Sequence, residues 1–376
     1  MSVYPRIYLA IDNCVFYKRF STPDDWARVI ADLGLRYIEA SADNELDPLY
    51  MGRDYLPGWI KAVKSAESKY GVKVANLYSG HGSYTTLGIA HPDGGVRANI
   101  RENFFFPLVE TAAALGCGLG FFAHAFDHKT LQSTDSYARY VRVVTEELCR
   151  INRHAAETDC GKVGVERMYT PHQYPWRNAD TVSLLRDVTA GSGHDFYFTE
   201  DLGHHHNKFQ IPGDEAILDS RRTPVWLGTD RAFALADEDP GANLQRIRED
   251  ISQNPHLFSQ PEDNDCYEVL RTLGRYSPII HLQQSNGTES RHLPFTPEQN
   301  SRGRIEGHAV LAALKQSYEN APEPGMPDPC DEIYLTLEIF SQTTSIIRDV
   351  IRDCKESVRY WRQFVPEDGL RLDQLV

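Results

Sequence analysis

Four polar residues of this chain each close a short apolar run: Glu166 in KVGVERMYT, Asp201 in FYFTEDLGH, His281 in PIIHLQQ and Glu338 in IYLTLEIF. Each run reads as a buried strand, so each polar group should emerge at a strand's C-terminal end. Two glutamates, one aspartate and one histidine arriving together would make a socket for one divalent metal ion. Oxygen-rich sets with a single imidazole suit Mn²⁺, Mg²⁺ or Co²⁺, and Zn²⁺ can also be held. A cation would further explain how these carboxylates are tolerated, because burying them unpaired is costly.

Other residues at strand ends are weaker candidates for the same pocket. In DLGHHH, the glycine permits a tight turn, and His204 can face the pocket that Asp201 enters. Lys18 and Arg19 follow the first strand in VFYKRF and could receive a phosphate. Glu39 and Asp43 end the second strand, where they could orient a substrate or pair with a basic side chain. Tyr78 and His81 end the third strand, and His124 ends the fourth in FFAHAF. In the loop after Glu166, Met168, Tyr169, His172 and Trp176 could wall a small ligand.

Strand-like and helix-like segments alternate along the chain, and this alternation must position those residues. IYLAIDN (7–13), LRYIEAS (35–41), VKVANLYSG (72–80), GLGFFAHAF (118–126), KVGVERMYT (162–170) and DFYFTEDLG (195–203) are separated by amphipathic stretches. Two more units fit near YSPIIHL and EIYLTLEIF. Strands that are apolar on both faces and alternate with helices indicate βαβ units and a parallel sheet. Eight units predict an α/β fold, a (β/α)₈ TIM barrel, whose active sites sit at the strands' C-terminal ends. No GxGxxG follows the first strand, which disfavours a dinucleotide-binding open sheet.

Asp201 and His281 are 80 positions apart, about two modules. The span 204–270 is polar and is expected to be an insertion over the catalytic face of a single 1–376 domain. A second polar stretch, 285–303, directly follows the His281 strand.

The chain has 376 residues, 41% of them hydrophobic, and a formal net charge of −14. Such acidity argues against general binding to nucleic acid or membrane surfaces, which favours basic patches. Seven scattered cysteines without a CxxC pair read as reduced thiols. No signal-peptide pattern opens the sequence and no apolar run reaches the length of a membrane span. A cytoplasmic protein is therefore expected.

With its Glu, Asp, His and Glu at the ends of strands five to eight, the chain resembles the xylose isomerase-like TIM barrels. These include metal-dependent sugar isomerases and epimerases related to D-tagatose 3-epimerase. IDNCVFYKRF, IEASADNELDP, VERMYTPHQYPW and SPIIHLQQSNG resemble the erythritol-pathway members that act on tetrulose phosphates. The resemblance implies that Glu166, Asp201, His281 and Glu338 are the metal ligands and that His204 touches substrate. It also implies a homodimer or homotetramer. In the epimerases an arginine after the strand-seven histidine helps to hold the substrate's terminal hydroxyl. Here Gln283 and Gln284 occupy the near positions, and Arg291 and His292 lie further on.

The implied reaction is isomerisation or epimerisation of a short ketose or ketose phosphate through a cis-enediolate, with Glu166 and Glu338 as acid and base. Three other readings remain open at this point. One is decarboxylation of a 3-oxo sugar acid at the same site. Another is an endonuclease of the same barrel type, which would need a richer histidine cluster and a basic groove. The third is a metal-dependent sugar-binding barrel without catalysis.

Overall fold

The computed structural model describes residues 4–215, 225–226, 232–233 and 240–376. Eight parallel strands close into a barrel: β1 (Arg6–Asp12), β2 (Tyr37–Ser41), β3 (Lys73–Ser79), β4 (Gly118–Phe121), β5 (Val163–Glu166), β6 (Tyr197–Asp201), β7 (Ile279–Leu282) and β8 (Glu332–Leu337). Each strand pairs with its sequence neighbours, and β8 completes the ring on β1 from Arg6↔Glu332 to Ile11↔Leu337. A short strand, β9 (Leu370–Arg371), adds antiparallel to the start of β1.

Among the described residues, eight helices of the barrel wall follow the strands: α1 (Pro23–Asp32), α2 (Leu56–Tyr70), α3 (Phe106–Leu115), α4 (Thr134–Glu157), α5 (Asn178–Ser192), α6 (Cys266–Leu273), α7 (Gly307–Glu319) and α8 (Ile347–Trp361). Their starts are set by local chemistry. Thr22, Ser133 and Asp265 accept backbone N–H groups at the first turns of α1, α4 and α6, and Pro23 fills the first position of α1. The predicted helix near 94–115 contains a π turn at Arg101–Phe105 just before Pro107. Proline has no N–H to return to the preceding turn, and a π bulge absorbs that defect.

Period-two alternation sends Ile7, Leu9 and Ile11 outward to the helices and Tyr8, Ala10 and Asp12 into the barrel. The same rule turns inward Glu39 on β2, Asn76 and Tyr78 on β3, Thr199 and Asp201 on β6, and His281 on β7. Gly120 on β4 leaves room for this layer, since a Cβ there would stand 3.0 Å from Thr199 Oγ1 and 3.1 Å from Asn76 Nδ2. Tyr8, Tyr37 and Tyr334 pack together near the strands' N-terminal end, with ring centroids 4.9 to 5.4 Å apart. The polar layer lies above them, toward the C-terminal end.

Between β6 and β7 the described chain includes a helix (Pro240–Gln253) and short 3-10 turns before it reaches α6. Residues 255–263 lie on the loops after β4 and β5. His256 Nε2 is 2.9 Å from Leu131 O, while Arg177 donates to Pro255 O at 2.9 Å. Asp263 Oδ1 accepts from Asn178 N at 2.7 Å.

Candidate active site

Glu166 ends β5, Asp201 ends β6, His281 lies within β7, and Glu338 follows β8 by one residue. All four are buried, and each presents a ligand atom within 4.8 Å of the other three. His281 Nδ1 is 3.2 Å from Glu166 Oε1 and 3.1 Å from Glu338 Oε2. Ligands about 2.1 Å from one ion and at right angles to each other lie about 3 Å apart, so this spacing suits a shared cation.

Two further observations fit a metal. Glu338 Oε2 stands 3.1 Å from His281 Nδ1 and 3.2 Å from His292 Nδ1, yet it is buried and neither ring meets it with hydrogen-bond geometry. Among the described residues, no lysine or arginine forms an ion pair with Glu39, Glu166, Asp201 or Glu338, so imidazoles are the basic groups that face these carboxylates. The electrostatics reflect that shortage of cations. Burial pushes the Asp201 carboxyl up to about 6. Burial alone would lower His281, but the surrounding carboxylates, Glu338 foremost, push it well above the usual imidazole range. Glu338 lies well below its usual range because His281 and His292 outweigh the effect of burial.

A set of supporting contacts fixes each ligand. Gln283 Nε2 donates to both Asp201 oxygens at 2.9 Å, and Gly203 N donates to Oδ1 at 2.6 Å. The Tyr78 hydroxyl donates to Glu166 Oε2. Its ring stands edge-on to His281, with centroids 4.9 Å apart. Glu39 Oε2 lies 2.7 Å from His281 Nε2, on the side of the ring away from the other carboxylates.

The cluster forms the floor of a cavity of about 580 Å³, large enough for a small ligand, with Glu166 and Glu338 both in its lining. His204 also lines it, with Nε2 3.5 Å from Asp201 Oδ2 and Nδ1 3.0 Å from Arg167 O. His81 bridges its rim, with Nε2 3.3 Å from Asp12 Oδ2 and Nδ1 3.8 Å from Glu338 Oε1. His292 stacks on Phe340 with centroids 3.7 Å apart and planes 6° apart. His292 has φ +50°, a left-handed conformation uncommon for a non-glycine residue. Gln283 Oε1 holds it by accepting the His292 N–H at 2.6 Å. Arg291 reaches the mouth, where it is largely exposed and pairs with Glu289 at 2.6 Å. Met168 and Tyr169 form part of the wall.

The remaining candidates are placed elsewhere. Arg19 donates to Ser341 Oγ at 3.0 Å and to the Gln342 and Ser345 carbonyls at 2.8 Å, tying down the loop after β8 instead of facing the cavity. The Lys18 side chain lies outside the described residues. His124 is fully buried between Phe122 and Phe126, with Nε2 against Tyr174 O; it is a core histidine. Gln283 is buried beneath the cavity and orients Asp201 and His292. Two contacts beside the site stand outside the sequence reading: Asp12, which ends β1 by the same strand-end rule and meets His81, and the pairing of Glu39 with His281, 242 positions away.

The family model described as "Xylose isomerase-like TIM barrel" matches residues 27–321. D-erythrulose 1-phosphate 3-epimerase of Brucella abortus (strain 2308) is 24% identical over 357 residues, 94% of each chain. Among solved structures, a putative xylose isomerase from Rhodospirillum rubrum superposes with a TM-score of 0.66 at 16% identity, covering 95% of this chain and 99% of that one. D-psicose 3-epimerase from Clostridium cellulolyticum H10 gives 0.58 at 14% identity, with 95% and 98% covered. These two structural likenesses speak to the fold. The chain is an enzyme of the xylose isomerase-like TIM barrel family.

Proposed function

We propose that this protein is a divalent-metal-dependent isomerase or epimerase of a short ketose or ketose phosphate, a tetrulose phosphate being favoured. The observation that carries the reading is the placement of two buried glutamates, Glu166 and Glu338, in one cation-type cluster on the floor of a sugar-sized cavity. The tetrulose phosphate preference draws on the Brucella relative, whose name specifies erythrulose 1-phosphate.

Glu166, Asp201, His281 and Glu338 would hold the ion, which when bound polarises a carbonyl and stabilises developing negative charge. One glutamate removes the proton from the carbon beside the carbonyl, leaving a planar enediolate. The other returns a proton to the opposite face and so inverts the carbon. Positioned acid–base groups contribute about 10²–10⁴-fold each. His204, His81 and His292 would receive substrate hydroxyls, and Arg291 is the cation best placed for a terminal phosphate. The same reading makes 204–270 an insertion of a single barrel domain, and the protein a cytoplasmic homodimer or homotetramer, which sedimentation would check.

The test is a panel of tetruloses and pentuloses, free and phosphorylated, with Mn²⁺, Mg²⁺, Co²⁺ or Zn²⁺, followed by proton NMR in heavy water. Metal-dependent deuterium entry with inversion or carbonyl migration is expected, and it should stop with a chelator and return with added metal. Binding without any exchange would favour a non-catalytic barrel, and loss of carbon dioxide from a 3-oxo acid would favour a decarboxylase.

A further inference from the structure

Glu39 is a fully buried carboxylate outside the four-residue cluster, and the reaction just described does not use it. Its position depends on a break in the sheet. β2 and β3 pair as Tyr37↔Lys73 and Ile38↔Val74, and then the register shifts so that Glu39 faces Asn76. An irregularity of this kind re-aims a side chain. Asn76 Nδ2 donates to Glu39 Oε1 at 2.6 Å, leaving Oε2 for His281 Nε2 at 2.7 Å.

The two nitrogens of an imidazole point in divergent directions, so a group on Nε2 cannot reach an ion held at Nδ1. Glu39 must therefore act through the ring. Accepting the Nε2 proton fixes the tautomer that leaves Nδ1 free as a ligand, holds the ring plane and raises its basicity. We propose that Glu39, itself aimed by Asn76, is a positioning residue that sets the metal affinity of His281. The inference rests on the metal-centre reading above.

The test measures metal binding separately from turnover. Wild type, Glu39→Gln and Asn76→Ala would be freed of metal and titrated with Mn²⁺ alone, using a chromophoric chelator as competitor. Glu39→Gln removes the charge while keeping nearly the same shape. It should bind Mn²⁺ about 10–100-fold more weakly, and Asn76→Ala should weaken binding less. A purely structural role would instead lower the melting temperature of the metal-free protein and leave the affinity of the folded fraction unchanged. If Glu39→Gln fails to fold, Asn76→Ala decides the question, because it leaves Glu39 present but unaimed. Equal Mn²⁺ affinities in wild type and the folded variants would overturn the positioning role while leaving the metal centre standing. A wild type that takes up no divalent ion would overturn both.

Discussion

The two glutamates are chemically alike but have different neighbours. Glu166 turns Oε1 toward His281, while its Oε2 accepts the Tyr78 hydroxyl. Glu338 turns Oε2 toward His281 and His292 and has His81 near Oε1. Tyr78 therefore tunes only Glu166. A hydrogen bond to a charged group contributes about 1.5–3 kcal/mol, so Tyr78→Phe is expected to lower kcat about 10–100-fold. KM should stay within a few-fold, because the metal-facing oxygen is untouched. Steady-state kinetics on the substrate found by the NMR panel would show this, and an unchanged kcat would remove Tyr78 from the proton-transfer machinery. Glu166→Gln and Glu338→Gln should each cost more, about 10²–10⁴-fold in deuterium exchange. A loss of only a few-fold in either would reject the acid–base pair.

At the level of elements, the loops after the strands aim what the strands deliver. Gly203, just past β6, lies against Gln283, just past β7, and a Cβ on it would fall 2.1 Å from Gln283 Cδ. Gln283 cannot yield freely, because it is tied to Asp201 and to the His292 N–H. Gly203→Ala should thus leave the barrel folded but tilt Asp201, with an expected loss of Mn²⁺ affinity of about tenfold. Chelator competition beside a circular dichroism melt would check it, and an unchanged affinity would show that Gln283 does not control Asp201. This pattern also explains what could be read in the sequence. Parallel strands buried on both faces are continuous apolar runs, so their ends, and with them Glu166, Asp201, His281 and Glu338, stand out. The shift that brings Glu39 opposite Asn76 leaves no mark in composition or periodicity. Arg19 looked like a phosphate receptor because a basic pair follows β1. The carbonyls that Arg19 binds, on Gln342 and Ser345, lie more than 300 residues away, and no local pattern announces them. His124 fits the strand-end rule by position, yet it turns into the wall among Phe122 and Phe126.

For the whole molecule, several buried histidines have opposite consequences for pH. Those beside the carboxylate cluster, His81 and His281, lie above the ordinary range because acidic neighbours outweigh burial. Others are buried away from carboxylates: burial pushes His124 and His206 down to about 4, with the basic neighbours His204, Lys208 and His205 adding to the effect at His206, and burial also lowers His256 beside Arg177. Among the described residues, Nδ1 of both His124 and His206 is buried without a hydrogen-bond partner, so a proton added there would meet no acceptor among them. In the unfolded chain these rings titrate near 6.5. A depressed folded pKa gives stability that is fully present above the unfolded value and is lost as pH falls through the folded one. The window therefore runs from about pH 6.5 down to about pH 4. For fully buried His124, a difference of about 2.5 pKa units corresponds to roughly 3 kcal/mol. His124→Gln keeps a donor for Tyr174 O but cannot take up a proton, so it should flatten part of the acid limb. Melting temperatures measured metal-free from pH 7.5 to 4 should show the His124→Gln variant gaining on wild type as the pH falls, whatever their offset at neutral pH. Parallel curves through that range would mean that His124 does not resist protonation in the fold, and the acid limb would then belong to the carboxylates.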